Sequence, residues 1–135
     1  RTFDAVLLDA PCTATGTIRR HPDILYLKRE GDIEALTALQ AAMIDRAQAL
    51  VRPGGLLVYC TCSLEPEEGI AQIETALRRH PALERVPVEA QEAGGAPELV
   101  TPAGDLRTLP FHRLGPGPAA VGMDGFFAAR LRKRG

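Results

Sequence analysis

Two apolar runs bracketing one long amphipathic stretch constrain this chain more than any other feature. Phe3-Asp4-Ala5-Val6-Leu7-Leu8-Asp9 reads as a strand apolar on both faces, the pattern of an interior parallel strand. From Ile33 to Val51 the residues Ile33, Leu36, Leu39, Met43, Ile44, Ala47 and Leu50 recur at helical spacing, which predicts a long helix with its stripe packed on a sheet. Pro53-Gly54-Gly55 then ends the helix and turns the chain into Leu56-Leu57-Val58-Tyr59-Cys60-Thr61, a second buried strand. Strand, helix and strand in that order predict a right-handed parallel crossover and an α/β fold.

The other segments fill in around this unit. Ile24 to Arg29 reads as a short helical stretch, with Gly31 and Asp32 marking a break and a cap. A further helix is expected from Pro66, suited to a first helical position, to Arg79, with Ile70, Ile73 and Leu77 on one face and His80-Pro81 as its stop. Leu83 to Val88 and Phe126 to Leu131 read as strands, the latter followed by a solubilising basic tail of Arg130, Arg132, Lys133 and Arg134. Residues 89–122, rich in Gly, Pro and Ala, are periodic only over Leu106 to Leu109 and are expected to form a long mobile loop. Because the first strand starts at the third residue with nothing before it to pair with, the sequence reads as a piece cut inside a domain, with an open sheet edge.

Composition narrows the class. At 135 residues, 45% hydrophobic and 24% charged, the chain suits one soluble domain, and its apolar runs fall short of the roughly 20 residues of a membrane span. Three cysteines without a disulfide framework point to reduced thiols in the cytoplasm. A net charge of −1 gives no global pull on nucleic acid, so any RNA contact must come from local basic clusters.

The chemistry gathers where the strands end. Cys62 follows the second apolar run and Cys12, in Asp9-Ala10-Pro11-Cys12, follows the first, which puts two thiols at one edge of a parallel sheet. A helix N-terminus beyond Cys62 favours a thiolate while Glu65, Glu67 and Glu68 oppose one, and the sign of the balance stays open. A buried free cysteine also behaves as a small hydrophobe, the reading that suits Cys60. Zinc held by Cys60, Cys62 and a histidine lacks the usual two-residue spacing and a second ligand pair, so no metal is expected. A cysteine hydrolase needs a histidine base, and His21, His80 and His112 lie in loop or helix-end contexts that do not supply one. Arg19, Arg20 and His21 read either as a solvated turn or as contacts to phosphate, and Asp9 either as a site residue or as a loop cap.

Taken together, Asp9-Ala10-Pro11-Cys12, Thr61-Cys62-Ser63, Ile18-Arg19-Arg20-His21-Pro22-Asp23 and Asp124-Gly125-Phe126-Phe127 resemble the RNA cytosine-C5 methyltransferases of the NOL/NOP/Sun family, most of all its bacterial 16S rRNA branch. The resemblance implies the C-terminal half of a Rossmann-like class I methyltransferase domain over residues 1–135, with parallel strands and a final antiparallel one. It implies Cys62 as the nucleophile on cytosine C6, Cys12 as the group assisting product release, and Asp9 as a contact to the target base. Asp9 and Pro11 would border S-adenosylmethionine, and Arg19, Arg20 and His21 would hold RNA. The Gly-rich cofactor loop and first three strands would lie upstream in the missing N-terminal half, so this piece alone is expected to be inactive. A tRNA substrate and a non-catalytic RNA-binding module are the alternatives.

Overall fold

The computed structural model describes residues 1–115 and 121–135. The chain opens on β1 (Phe3–Asp9), passes a 3-10 turn at Thr15–Thr17 and the short α1 (Ile24–Leu27), and enters α2 (Glu30–Leu50). β2 (Val51–Thr61) follows directly, then a 3-10 turn at Pro66–Glu68, α3 (Ile70–Arg79) and β3 (Leu83–Arg85). A 3-10 turn at Pro97–Leu99 leads to β4 (Leu106–Thr108), β5 (Arg113–Leu114), β6 (Val121–Gly122) and β7 (Phe126–Lys133).

β1 pairs parallel with β2, from Ala5 beside Leu56 to Asp9 beside Cys60, with α2 as the connection. β7 runs antiparallel along the other edge of β2. β3 and β4 both pair antiparallel with β7, β3 against Leu131–Lys133 and β4 against Phe126–Ala128. The parallel β1–β2 pair is the one the sequence pattern predicts, and the antiparallel final strand β7 is the one the resemblance implies. β5 and β6 pair separately.

Period-two alternation turns Leu57 and Tyr59 of β2 and Phe127, Ala129 and Leu131 of β7 toward one face, where Ile44 and Ala47 of α2 and Ile73 and Ala76 of α3 cover them. Fully burying a side chain such as Leu57 or Ile73 stabilises the fold by about 1.5–3 kcal/mol. Among the described residues the outer edge of β1 has no strand partner, and Leu7 is 70% exposed. No helix there is long and apolar enough to cross a membrane.

Several boundaries differ from expectation, each for a physical reason. α2 starts at Glu30, because Asp32 in its first turn accepts the free Arg29 N–H at 2.9 Å, so Gly31 and Asp32 are helical. The stripe of α2 is only partly covered, with Leu39 and Leu50 exposed. Val51 to Gly55 belong to β2: the register with β1 slips between Phe3 and Ala5, and Gly54 takes up the kink at φ 77°. The expected helix from Pro66 is broken at Gly69, whose φ −121° and ψ −102° are not helical. A Cβ there would crowd the Phe127 ring at 3.1 Å.

β3 ends at Arg85, short of Val88; beyond it Val86 still donates to the Arg130 carbonyl at 2.8 Å, but Pro87 has no N–H to continue. The stretch 89–122 is no bare loop. It carries the Pro97–Leu99 turn with buried Leu99, β4, and the β5–β6 pair, while residues 116–120 lie outside the described residues. The basic tail is also structural. Lys133 Nζ donates to the Gln48 and Val51 carbonyls at the end of α2, Arg130 pairs with Glu92, and Arg134 donates to the Pro81 carbonyl.

Candidate active site

Since β1 and β2 are parallel neighbours, the loops that follow them leave the same end of the sheet side by side. Two backbone bonds tie the loops together, Ala10 N–H to the Cys60 carbonyl and Gly16 N–H to the Cys62 carbonyl, each 2.9 Å. Between these ties the Sγ atoms of Cys12 and Cys62 lie 3.5 Å apart, both partly exposed and both free thiols. Burial, with the neighbouring Cys62 adding to it, pushes the Cys12 thiol up to about 12, so Cys12 keeps its proton at neutral pH. Cys60 is buried and donates to Asp9 Oδ1 at 3.6 Å; burial and the Asp9 charge push it up to about 11.

Behind the thiols sits a fully buried carboxylate, Glu68. Its Oε1 accepts from Thr13 N at 3.0 Å and Gln40 Nε2 at 3.0 Å, and its Oε2 accepts from the Thr13 and Ser63 hydroxyls, each at 2.5 Å. Gln40 also donates to the Pro11 carbonyl at 2.8 Å. The Glu68 carbonyl in turn accepts from the Tyr59 hydroxyl at 2.8 Å and, at 3.5 Å, from Thr61. Each of these partners can donate, so both carboxyl oxygens of Glu68 are hydrogen-bonded in their buried place.

A second clamp explains the Asp124-Gly125 motif. Gly125 N donates to the Gly16 carbonyl at 2.7 Å, and the two backbones touch so closely that a Cβ on Gly125 would lie 2.9 Å from Gly16 Cα. Asp124 beside it pairs with Arg19 Nε at 2.6 Å and Arg20 Nη2 at 2.5 Å. The Arg20 guanidinium first, and Arg19 with it, holds the Asp124 carboxyl below its ordinary range. On the other side, Arg107 of β4 donates to the Ser63 carbonyl at 2.6 Å and lies over the Phe127 ring, 5.1 Å from its centroid. Burial lowers the pKa of this guanidinium.

The structure therefore brings together Asp9, Cys12, Cys60 and Cys62. It keeps Arg19 and Arg20 on the exposed rim, engaged by Asp124, and leaves His21 exposed. His80 is taken up by Asp45 at 2.6 Å and His112 Nδ1 by the Leu109 N–H, so neither serves as a base for the thiols. Among the described residues no three His, Cys, Asp or Glu side chains group as metal ligands. Sequence reasoning missed Glu68, Thr13, Ser63, Gln40 and Arg107. The available signal was Gln40, a polar residue at helical spacing from buried Ile44 and Ala47, which marks a polar seam in an apolar stripe.

Comparison with known proteins gives the chain a family. The family model described as 16S rRNA methyltransferase RsmB/F matches residues 1–132. The ribosomal RNA small subunit methyltransferase B of Vibrio vulnificus is 51% identical over 92 residues, 68% of this chain and 22% of that protein. Its namesake in Salmonella arizonae is 42% identical over 132 residues, 98% of this chain and 27% of that protein. The crystal structure of NSun6 from Pyrococcus horikoshii with SFG superposes with a TM-score of 0.71 at 30% identity, over 94% of this chain and 29% of that one. The chain spans about a quarter of the length of the curated relatives it matches. It belongs to the 16S rRNA methyltransferase RsmB/F family, whose Rossmann-like sheet its own strands reproduce in part.

Proposed function

We propose that this chain carries the thiol side of the active site of an S-adenosylmethionine-dependent methyltransferase that modifies cytosine C5 in 16S rRNA, and that it forms the C-terminal half of that catalytic domain. The observation that carries the reading is the Cys12–Cys62 pair, 3.5 Å apart at the carboxyl ends of two parallel strands. Cytosine C5 is a poor nucleophile until a sulfur adds at C6 and makes C5 enamine-like. Cys62 makes that bond, and C5 then takes the methyl group. The C5 proton leaves to a base, the C6–S bond breaks, and the aromatic ring and the Cys62 thiolate are restored. Cys12, held as a thiol, sits beside the sulfur that must be released. Asp9, at the end of β1 with its side chain exposed, contacts the base near N3.

S-Adenosylmethionine supplies the methyl group from its sulfonium. Exposed Asp9 and Pro11 fit one wall of its site. Gly16, in the Cys12 loop, is packed against Gly125 and so cannot cradle a ligand, and the glycine turn is assigned to the N-terminal half of the domain. The relatives' greater length, the open apolar edge of β1 and the relative solved with SFG, an analogue of the cofactor, support this division. Arg19, Arg20 and His21 present the rim to RNA phosphates.

The test supplies labelled S-adenosylmethionine to the protein extended to its relatives' length, with 16S rRNA and with tRNA as separate substrates. Label recovered as 5-methylcytosine from rRNA, and lost in Cys62→Ala, is expected. Label at another atom, transfer confined to tRNA, or binding without transfer to either would reject this reading in favour of a different modification, a tRNA enzyme or an RNA-binding module.

A further inference from the structure

We propose that Glu68 is the positioning residue of the two-thiol site, its buried carboxylate fixing the spacing between Cys12 and Cys62. The argument rests on which residues it reaches. Cys12 is flanked by Pro11 and Thr13, Cys62 by Thr61 and Ser63. The Thr13 amide and hydroxyl and the Ser63 hydroxyl donate to the Glu68 carboxylate, Thr61 donates to the Glu68 carbonyl, and the Pro11 carbonyl is held by Gln40, itself a donor to Glu68. Three of the four neighbours of the two cysteines, Pro11, Thr13 and Ser63, thus hang on one side chain or on its immediate partner, and Thr61 reaches the main-chain carbonyl of the same residue.

The plainer alternative is that Glu68 merely holds the fold together. A fully buried polar side chain that needs several donors is a costly way to do that, and an apolar side chain on the same turn would pack without burying a polar group. What an apolar residue cannot do is bind both cysteine loops at once. Oε2 is shared, at 2.5 Å, by the residue after Cys12 and the residue after Cys62, which adds to the backbone ties at Ala10 and Gly16 a link at the residues next to the thiols. Gln40 and Gln72 extend the seam into α2 and α3, with Gln72 Nε2 donating to the Thr37 carbonyl at 2.6 Å. The spacing is therefore referenced to the rigid helices rather than to the loops themselves. If the site works as proposed above, this spacing decides how fast the Cys62 adduct is released once formed.

The first arm of the test needs no methylation. In a Cys60→Ala background, the chain is treated with diamide, whose diazene takes the two electrons and two protons as Cys12 and Cys62 join in a disulfide. Folding is followed by circular dichroism, and single-thiol alkylation of Cys62 by mass spectrometry. Folded Glu68→Gln is expected to form the disulfide about tenfold or more slowly, since loss of alignment of this kind costs one to two orders of magnitude, while Cys62 alkylation stays within roughly twofold. Ser63→Ala leaves Glu68 held by Thr13 and Gln40 and removes only the Cys62 loop's link to it, the main-chain bonds to Gly16 and Arg107 staying in place; it is expected to slow the disulfide likewise and carries the test if Glu68→Gln does not fold. Unchanged or faster disulfide formation in the folded variants overturns the proposal. The second arm measures turnover in the extended protein. A fall in kcat with little change in KM for RNA, with more covalent RNA complex at steady state, is expected for Glu68→Gln; parallel loss of both in proportion to unfolding would reduce Glu68 to a structural role. A disulfide result as expected without any methylation would sink the proposed function and leave the positioning role standing.

Discussion

Replacing Gly16 by Ala adds one methyl group where two loops and the β7 entry meet. The new Cβ would press on the Gly125 carbonyl group and lie 2.8 Å from the Cys62 carbonyl oxygen, and these are backbone atoms that cannot swing aside. Overpacking of this kind costs roughly 1–3 kcal/mol. Two hydrogen bonds would be strained with it, Gly16 N to Cys62 O at 2.9 Å and Gly125 N to Gly16 O at 2.7 Å, each worth a net ~0.5–1.5 kcal/mol. The expected loss is about 3 kcal/mol, or a fall in Tm of about 10 °C for a domain of this size. Gly31→Ala is the control: nothing lies within 4 Å of its Cβ and it sits in the first turn of α2, so the change should be neutral or stabilising by up to about 1 kcal/mol. Urea unfolding followed by circular dichroism reads both. A Gly16→Ala variant within about 0.5 kcal/mol of the parent would refute the close-approach argument and with it the account of the Asp124-Gly125 motif.

Asp124→Asn removes the anion shared by Arg19 and Arg20, and as both cations are half exposed the expected loss is about 1 kcal/mol or less, read by the same unfolding curves. Because the Asp124 carboxyl is held below its ordinary 3.8 in the fold, its contribution is present above that pH and lost as pH falls below it, so an acid titration of stability should be flatter below pH 3.8 in Asp124→Asn than in the parent. Cys12, pushed up to about 12, should be alkylated by iodoacetamide at a rate that rises close to tenfold per pH unit between about pH 7 and 9. A plateau in that range, seen by peptide mapping, would mean that burial does not control this thiol.

The parts that were legible in the sequence are those written in local pattern. Apolar runs ending at Asp9 and Thr61 located both cysteine loops, and helical spacing between them forced the parallel pairing that sets the thiols side by side. The thirty-odd residues after Glu89 were not legible, because β4 is three residues of mixed polarity and is a strand only by pairing with β7. Nor was the fate of Glu68. Glu65, Glu67 and Glu68 are chemically alike, and only the packing of α2 over the cysteine loops selects one for complete burial among donors from Thr13, Gln40 and Ser63. The pairing of Arg19 and Arg20 with Asp124 was not legible either, because Asp124, a hundred residues away in sequence, is brought to them by the Gly16–Gly125 contact.

The central claim is that two neighbouring thiols have opposite duties, Cys62 making the bond to cytosine and Cys12 helping to break it. Denaturing gels of the extended protein incubated with substrate RNA and S-adenosylmethionine test it directly. Cys62→Ala should give neither methylation nor a covalent RNA complex, whereas Cys12→Ala should still add and methylate but accumulate a complex that survives denaturation. Accumulation in Cys62→Ala with none in Cys12→Ala would reverse the assignment, and no covalent complex in any variant would contradict the mechanism itself.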